Sequence, residues 1–330
     1  MKIYVLSHTD PDGFFSAALV EWHWKRVSDD LTITHKSWTY GRKEPNIKGF
    51  SQKYDFVYIV DLLPSKSFMD ALIEEMGNHR IIWCDHHAGP DNAYLEHLTN
   101  DLHMQPCMIS GLRTTEKESA AMLVWKFYFS GTVIPHWLQL LSDYDSWNTS
   151  VDESYWNNQV VPYMSYLNTY VTSVEQAYQY LCIITDDMSK YTFNDAMVDV
   201  HIKYGSMISS WQITLYNREV HHGFSAVLRC YPSDDCTSVR EIKAWVVNTQ
   251  NRGSRMFNTL ENIDDYDVCI PYNFNGKVYQ YSMYTFKPDI SCNGLVVMLP
   301  RPDADGIETI IFKGHRDAAG STSTVCMFSQ

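Results

Sequence analysis

The 330-residue sequence contains no C-x-x-C pair, no internal repeat and no low-complexity segment. It also lacks the run of about 20 apolar residues that a membrane span requires, so no membrane partner is expected. The missing cysteine pairs argue against a thiolate zinc site. Few apolar residues precede His8, and no secretory signal is expected. The eight scattered cysteines therefore indicate buried free thiols in a reducing compartment, most simply the cytoplasm.

A basic stripe is missing as well, because 39 acidic residues outnumber 26 lysines and arginines and leave a net charge of −13. Proteins that track long nucleic acid usually carry such a stripe, so binding to long duplex DNA is not expected. If the substrate is a phosphate ester, bound cations must supply much of the positive potential. The charge balance favours a short or small substrate, although solubility alone would also account for it.

The length predicts about two domains, and 45% hydrophobic residues indicate a globular protein with ample apolar surface to bury. In the first ninety residues, apolar strands alternate with helical patterns, which predicts an α/β fold with a parallel sheet and right-handed crossovers. Asp12 or Ser16 is the predicted cap of the first helix, and Ser67 with Asp70 has capping-box spacing. The predicted strands are Lys2–Leu6, a short strand that begins with Thr32–Thr34 and ends near Tyr40, Asp55–Val60, and Arg80–Cys84.

The later sequence predicts helices and then a second group of strands. Residues 118–130, 136–147 and most of 150–218 have helical patterns, and the last of them serves as a connecting helix. We therefore predict an N-terminal domain at 1–190, a linker helix at 191–218 and a smaller α/β domain at 219–330. The predicted strands of that domain are Phe224–Arg229, Ala244–Asn248, Val268–Tyr272, Val278–Tyr284 and Leu295–Leu299.

Acidic and imidazole side chains follow three of the N-terminal strands. Parallel neighbours would bring them to one sheet edge, where ligands bind in such folds. Each residue could have an ordinary role as a cap or loop residue, but their recurrence at equivalent places favours a common site. The candidates are His8, Asp10 and Asp12 after the first strand, Asp61 after the third, Asp85, His86 and His87 after the fourth, and Asp143 or Asp145 from a helical segment.

So many carboxylates in one place would repel one another without cations. Oxygen-rich ligands with some imidazole suit manganese, magnesium or iron. Two such ions about 3.5–4 Å apart can hold a bridging hydroxide and clamp the attacking and leaving oxygens of an in-line displacement at phosphorus. The predicted cofactor is a pair of Mn²⁺ ions, with Mg²⁺ as the alternative.

The order of these motifs resembles a known family. Ser7–Gly13 (Ser-His-Thr-Asp-Pro-Asp-Gly), Val60-Asp61, Asp85-His86-His87 and Ser142–Trp147 (Ser-Asp-Tyr-Asp-Ser-Trp) are similar to the four metal motifs of the DHH phosphoesterases. Tyr281–Thr285 and Lys313–Gly320 resemble the two signatures of the DHH-associated domain, the substrate-binding half of that family. The resemblance covers nearly the whole chain. Within that family, the sequence resembles oligoribonucleases of the nanoRNase type, with a core similar to that of RecJ.

The resemblance implies roles for the metal ligands. His8 and Asp10 would hold one ion, and Asp12 and His86 the other, with Asp61 bridging. Asp143 would complete the second site, and Asp145 is the competing candidate.

It also implies residues that act on the substrate. His87 would lie beside the substrate phosphate as an acid for the leaving oxygen, and Asp85 would orient a histidine ligand. The substrate-binding candidates are Ser282 and Gly314, with His315 and Arg316 clamping a terminal phosphate.

Two departures from the family pattern concern the substrate. Ile311-Phe312-Lys313 replaces most of the usual glycine run, and Ser282–Thr285 lacks an expected arginine. The function indicated is hydrolysis of short oligonucleotides to nucleoside monophosphates. A phosphatase, a linear or cyclic dinucleotide phosphodiesterase and a nucleotide-sequestering protein with a degenerate site remain alternatives.

Several other residues have two possible uses. Arg42 and Arg113 lie in loops that could reach the site, or they are ordinary solvated charges. Trp147, Tyr155 and Trp156 could stack on bases, although packing is the commoner use of aromatic side chains.

Overall fold

The structure is a computed structural model that describes residues 1–40, 42–87, 108–114, 117–148, 150–187, 191–232, 239–250, 253–287, 289–292, 295–300, 307–311, 313–316 and 319–324. The chain forms two compact units, Met1–Ser209 and Ser210–Gln330. None of the described helices is both long enough and apolar enough to cross a membrane.

The N-terminal unit contains a four-stranded sheet in which all strands are parallel, and the strand order is β2-β1-β3-β4. This confirms the predicted α/β class, and each strand overlaps its predicted range. The second strand ends at Ser37, slightly before its predicted end near Tyr40. The strands are β1 (Lys2–Ser7), β2 (Thr32–Ser37), β3 (Phe56–Val60) and β4 (Ile81–Cys84).

Both faces of this sheet are buried, because alternate residues of each strand enter two different hydrophobic cores. In β1, Ile3 and Val5 join one core, whereas Tyr4 and Leu6 join the other. The same alternation continues through β3 and β4. A parallel sheet covered on both faces explains why its strands are continuous apolar runs.

Helices cover the two faces of the sheet. Asp10, and not Asp12 or Ser16, caps the first helix by accepting a hydrogen bond from Gly13 N. The cap of the third helix is Ser65, which accepts from Phe68 N, so the predicted Ser67–Asp70 box is wrong. The helices around the sheet are α1 (Pro11–Val27), α2 (Phe50–Lys53) and α3 (Lys66–Met76).

From residue 117 onward the described part of this unit is mainly helical, as predicted, and the predicted ranges 118–130 and 136–147 are each slightly too long. A two-stranded ribbon precedes the last helix, which continues across the boundary between the units. The elements are α4 (Ala120–Tyr128), α5 (His136–Asp145), α6 (Glu153–Tyr155), a π-helical turn (Trp156–Val160), α7 (Val161–Tyr170), α8 (Val174–Ile184), β5 (Thr185–Asp187), β6 (Thr192–Phe193) and α9 (Asp195–Val220).

The C-terminal unit contains an eight-stranded mixed sheet with the order β12-β11-β7-β8-β9-β10-β14-β13. Only the β8–β9 pair is parallel among its described pairings. All five predicted strands are present, and β12, β13 and β14 were not predicted. The strands are β7 (Phe224–Pro232), β8 (Arg240–Asn248), β9 (Val268–Phe274), β10 (Tyr279–Tyr284), β11 (Leu295–Pro300), β12 (Ile307–Ile311), β13 (Lys313–Arg316) and β14 (Ala319–Thr324).

Of the predicted free thiols, five lie in the described part of the chain and all five are free. Cys84, Cys230, Cys269 and Cys292 are buried, but Cys182 is exposed, contrary to the expectation of burial. Cys107, Cys236 and Cys326 lie outside the described residues.

The topology brings the polar strand ends together. Ser7 pairs with Val60, and Val60 pairs with Cys84, so β1, β3 and β4 end at the same level. The chain leaves β1 toward β2 on one side and returns to β3 on the other, which makes the end of β1 a topological switch point. Ligands of open α/β sheets bind at such a point.

Gly13 is a packing constraint at this edge. A Cβ atom there would lie 2.6 Å from His8 O and 2.8 Å from His8 N, both of them backbone atoms that cannot swing away. We expect Gly13→Ala to lower the free energy of unfolding by about 1–3 kcal/mol through overpacking. Urea denaturation measures this change.

Ser16→Ala in the same helix is the matched control. It removes a buried hydroxyl that has no hydrogen-bond partner among the described residues, so it should be neutral or slightly stabilising. Equal stability of the Gly13 variant and the wild-type protein would contradict the close packing.

Candidate metal centre

Seven side chains at the sheet edge form three overlapping groups, each with the spacing of metal ligands. The groups are His8, Asp10 and Asp61; Asp61, His86 and His87; and Asp12, His86 and Asp145. Within each group, one nitrogen or oxygen atom per residue lies within 4.8 Å of the others. The structure thus brings together six of the seven expected strand-end candidates with Asp145 from α5.

Asp61 lies between the other ligands. Its Oδ1 is 3.3 Å from His86 Nε2, whereas its Oδ2 is 3.8 Å from His8 Nδ1. The two carboxylate oxygens therefore face the two groups that share no residue with each other. This is the arrangement that a bridging ligand needs.

The backbone of Asp61 is strained where it directs this side chain. Its φ of 56° is in the left-handed region, which costs a non-glycine residue roughly 1–2 kcal/mol. Asp61 N donates to Cys84 O, which fastens the end of β3 to the end of β4. Strain of this kind is concentrated at functional sites in proteins.

Asp12 is held by the start of a distant helix. Its Oδ2 accepts a hydrogen bond from Ala120 N at 2.7 Å, and its Oδ1 accepts one from Ala121 N at 2.9 Å. These are amides of the first turn of α4, where the helix dipole favours a negative charge. Oδ2 is also 3.9 Å from His86 Nε2, so the carboxylate is anchored on one side and faces the cluster on the other.

Asp145 and Asp143, the two competing candidates, have different surroundings. Asp145 Oδ2 lies 3.1 Å from His86 Nε2. Asp143 is in none of the ligand groups, and its buried carboxylate accepts hydrogen bonds from Gln139 Nε2, Asn148 Nδ2 and the Tyr155 hydroxyl. Asp143 therefore links α5 to the segment that follows it.

Asp85 contacts His87, with 2.7 Å between Oδ1 and His87 Nδ1. This contact orients the imidazole and favours a proton on Nδ1. Asp85 itself is held by backbone bonds, because its N–H donates to Leu112 O and its carbonyl accepts from Thr114 N. The histidine that Asp85 orients is thus His87.

Burial and mutual repulsion make the carboxyl groups of Asp12 and Asp61 hard to ionise. Burial, the Asp145 charge and other carboxylates raise the pKa of Asp12 to about 7. Burial and the charges of Asp10, Asp12 and Asp145 raise the pKa of Asp61 well above its ordinary value. A bound cation would remove this penalty.

The imidazoles partly compensate for the negative charge. Burial disfavours the charged form of His86, but hydrogen bonding to Asp145 and the charges of Asp145 and Asp12 raise its pKa to about 9. Burial would likewise raise the pKa of Asp10, yet the hydrogen bonds from His8 and Gly13 N lower it to about 2. Without metal, protons on these side chains therefore offset part of the negative charge that bound cations would otherwise offset.

The donor set fits divalent metal ions. Asp61 Oδ2 is buried and has no hydrogen-bond partner among the described residues, although such atoms are rarely left unsatisfied. Carboxylates with imidazole suit manganese, magnesium and iron. His8, Asp10 and Asp61 would hold one ion, and Asp12, His86, Asp145 and Asp61 the other.

The predicted substrate-binding residues lie in the C-terminal unit. Ser282 in β10 is buried and pairs with Ser321 in β14, and β13 with Gly314, His315 and Arg316 is the next strand. All four positions are therefore on neighbouring strands at one end of the eight-stranded sheet. Their role in substrate binding stays a prediction.

Other candidates are structural in the fold. Arg113 donates to Trp83 O and Ile109 O and lies over the Trp83 ring, so it clamps the backbone beside β4. Trp147 and Trp156 pack against each other.

Sequence reasoning missed Tyr40, whose ring centroid lies 5.6 Å from that of His8 and 5.8 Å from that of His87. Its place three residues beyond Ser37, the last residue of β2, was the available signal.

Comparisons with known proteins found similar solved structures but no matching sequence. No protein-family model matches the sequence, and no curated protein matches it. Similar solved structures include exonuclease RecJ bound to manganese, at 14% identity over 88% of this chain and 79% of that chain, with a TM-score of 0.46. RecJ from Thermus thermophilus in complex with Mn²⁺ has 13% identity over 98% of this chain and 49% of that chain, with a TM-score of 0.47.

An exopolyphosphatase-related protein from Bacteroides fragilis is similar at 10% identity over 97% of this chain and 86% of that chain, with a TM-score of 0.38. The chain spans about half the length of the Thermus protein. At these levels of similarity, any function has to be argued from the side chains of this protein.

The two aspartates of α5 should differ in metal binding. We expect Asp145→Asn to weaken Mn²⁺ binding by about 10- to 100-fold or more. Replacing a residue that only hydrogen-bonds a metal ligand already weakens metal binding by that factor. Asp143→Asn should leave the affinity near that of the wild-type protein but lower the stability by about 1–3 kcal/mol, since a buried hydrogen-bond network is broken. Calorimetric titration and urea denaturation measure the two effects, and the opposite pattern would assign the ligand to Asp143.

Stability without metal should fall as the pH rises. The folded protein keeps a proton on Asp12 up to about pH 7 and on His86 up to about pH 9, whereas the unfolded chain releases them near pH 4 and 6.5. The folded state therefore binds more protons between pH 4 and 9, and these two groups reduce its stability across that window.

Because metal ligands must be deprotonated, the increase in Tm on adding Mn²⁺ should be larger at pH 8 than at pH 5.5. Asp12→Asn should flatten the dependence in metal-free protein. A Tm increment independent of pH would show that no proton is displaced.

Proposed function

We propose that this chain is a divalent-metal-dependent phosphodiesterase of the DHH type that hydrolyses short oligonucleotides to nucleoside monophosphates. One observation carries the proposal: Asp61 presents its two oxygens to two separate groups of buried oxygen and nitrogen ligands at a topological switch point. Two cations held about 3.5–4 Å apart are the common device for in-line displacement at phosphorus. We propose manganese for both, with magnesium as the substitute.

The metals would polarise the phosphate and lower the pKa of water, which generates a nucleophile at neutral pH. The protein's part is to hold its ligands before the substrate arrives. Asp12 is fixed by α4, Asp10 by the start of α1, and Asp61 by its strained turn. Preorganised groups of this kind need little rearrangement during the reaction.

His87 is the proposed proton donor. Asp85 accepts the Nδ1 proton, and the imidazolium form of His87 can then give its second proton, on Nε2, to the oxygen that leaves phosphorus. Hydrolysis then consumes one water and yields a phosphomonoester and a free hydroxyl, and His87 regains its proton from solvent. In the C-terminal unit, Gly314, His315, Arg316 and Ser282 are proposed to bind a terminal phosphate.

The acidic composition supports a short substrate over a long duplex. A nucleotide-sequestering protein remains the contrasting possibility, because a shared fold does not guarantee turnover. The intact ligand set argues against it, since a protein that only sequesters a nucleotide would have no need of two adjacent cation sites.

The test is a substrate panel with purified full-length protein and Mn²⁺. A dinucleotide, a 20-mer, a cyclic dinucleotide and pyrophosphate are compared by kcat/KM, and the dinucleotide should be the best substrate. Faster cleavage of the 20-mer would overturn the preference for short substrates. Tight binding of nucleotide without turnover of any compound would favour sequestration.

Asp61→Asn should reduce turnover more than about 100-fold, because the bridge between the two ligand groups loses its charge. Asp70→Asn, an aspartate on α3 outside the ligand groups, is the charge-matched control and should keep full activity. Unaltered turnover of the Asp61 variant would show that catalysis does not need Asp61 as a bridge between two cations.

A further inference from the structure

We propose that residues Trp38–Tyr40 and Arg42–Lys48 form a binding site for single-stranded oligonucleotide, in which Tyr40 stacks on a base beside the scissile phosphate and Arg42 and Lys43 contact a neighbouring phosphate. This inference rests on the proposed function, because it adds a substrate subsite next to the metal centre. It concerns the N-terminal unit alone.

Tyr40 forms an aromatic wall beside the metal centre. Its ring contacts the rings of His8 and His87, and its side chain is 44% exposed. The ligands around it are buried or half-buried, so Tyr40 is the apolar surface that a substrate would meet beside the cluster. Stacking on such a ring accepts any base, since every base has a π-face.

The ring is already fixed in place. The Tyr40 hydroxyl accepts a hydrogen bond from Leu63 N at 3.0 Å, and Trp38 meets the ring edge at 5.3 Å between centroids. Trp38 N in turn donates to Ser7 O, at the end of β1. A rigid aromatic side chain loses little conformational entropy when a ligand binds, which favours its use as a platform.

The charged residues around Tyr40 in the sequence are predominantly basic. Residues 36–48 contain Lys36, Arg42, Lys43 and Lys48 but only one acid, Glu44, in a protein whose net charge is −13. All four basic side chains are exposed. This local excess of positive charge next to a phosphate-binding centre is the pattern of a path for the nucleic-acid backbone.

The single acid of this segment is used elsewhere. Both carboxylate oxygens of Glu44 accept hydrogen bonds from Ser65, one from its N–H and one from its hydroxyl. The described ion pairs of lysine and arginine lie in other parts of the chain, and no described carboxylate pairs with Arg42, Lys43 or Lys48. These three basic side chains therefore remain available to bind an external anion.

Geometry places the basic residues within reach of the platform. Arg42 is two residues from Tyr40, which limits their Cα separation to about 7 Å. Trp38 Nε1 donates to Lys43 O at 3.2 Å, so the chain turns back on itself there. A phosphate next to the stacked nucleoside would thus lie near both charges, and a base-free substrate such as pyrophosphate would use neither feature.

Binding of a fluorescein-labelled single-stranded pentanucleotide with cleavage-resistant phosphorothioate linkages to the protein in Mn²⁺ tests the proposal without cleavage. Tyr40→Ala should weaken binding about tenfold, within the range that base stacking contributes, and Tyr40→Phe should keep most of it. With wild-type protein, a pentanucleotide that is abasic throughout should show the same loss, which covers the case of a variant that fails to fold.

Salt dependence tests the two charges. Arg42→Gln with Lys43→Gln should reduce the slope of log Kd against log salt by about 1.4, or about 0.7 per charge for a single strand. The matched control is Lys2→Gln with Lys53→Gln, which removes the same charge at the first residue of β1 and at the last residue of α2, before β3, and so at the opposite edge of the sheet. That control should keep the wild-type slope.

The outcomes separate this inference from the proposed function. Wild-type affinity and slope in both variants, or no binding of the pentanucleotide by the wild-type protein, would overturn the subsite. Normal variant-dependent binding without hydrolysis in Mn²⁺ would support the subsite and reject the phosphodiesterase activity. Hydrolysis in Mn²⁺ with kcat/KM unaffected by either variant would support the activity and reject the subsite.

Discussion

The structure depends on keeping several carboxylates buried beside one another at a single sheet edge. Asp10, Asp12, Asp61 and Asp145 converge there, and desolvation together with their mutual repulsion raises the pKa values of Asp12 and Asp61. Folding energy must be supplied elsewhere to hold such a cluster, here by a sheet with a hydrophobic core on each face. A site that costs stability without metal and recovers it with metal is thereby coupled to cation binding.

Each ligand is positioned by a different piece of the scaffold. The α4 amides hold Asp12, the cap of α1 holds Asp10, and a left-handed turn directs Asp61. Asp85 stays out of the ligand groups and holds His87 from behind. Although these supports come from different segments, the carboxylates that they hold interact with one another, so the effects of two substitutions in the site should not be additive.

The charge distribution reconciles an acidic protein with an anionic substrate. Overall negative charge disfavours long nucleic acid, whereas residues 36–48 contain four basic residues and one acid. Under the proposed function, a short strand would meet this basic segment and avoid most of the acidic surface. Local and net charge would then select substrate length together, since screening confines each charge to about 8 Å at physiological salt.

The sequence by itself determined the parallel α/β sheet, the strand ends with their acidic and imidazole residues, and most strands of the second unit, because burial imposes periodic apolar patterns that can be read locally. It did not predict that Asp10 would cap α1, since that depends on the exact turn after β1. Nor could it choose between Asp143 and Asp145 or detect Tyr40. Those outcomes were decided by tertiary structure: which α5 side chain faces His86, which amides reach Asp12, and which ring lies beside His8 are set by contacts between segments far apart in the chain.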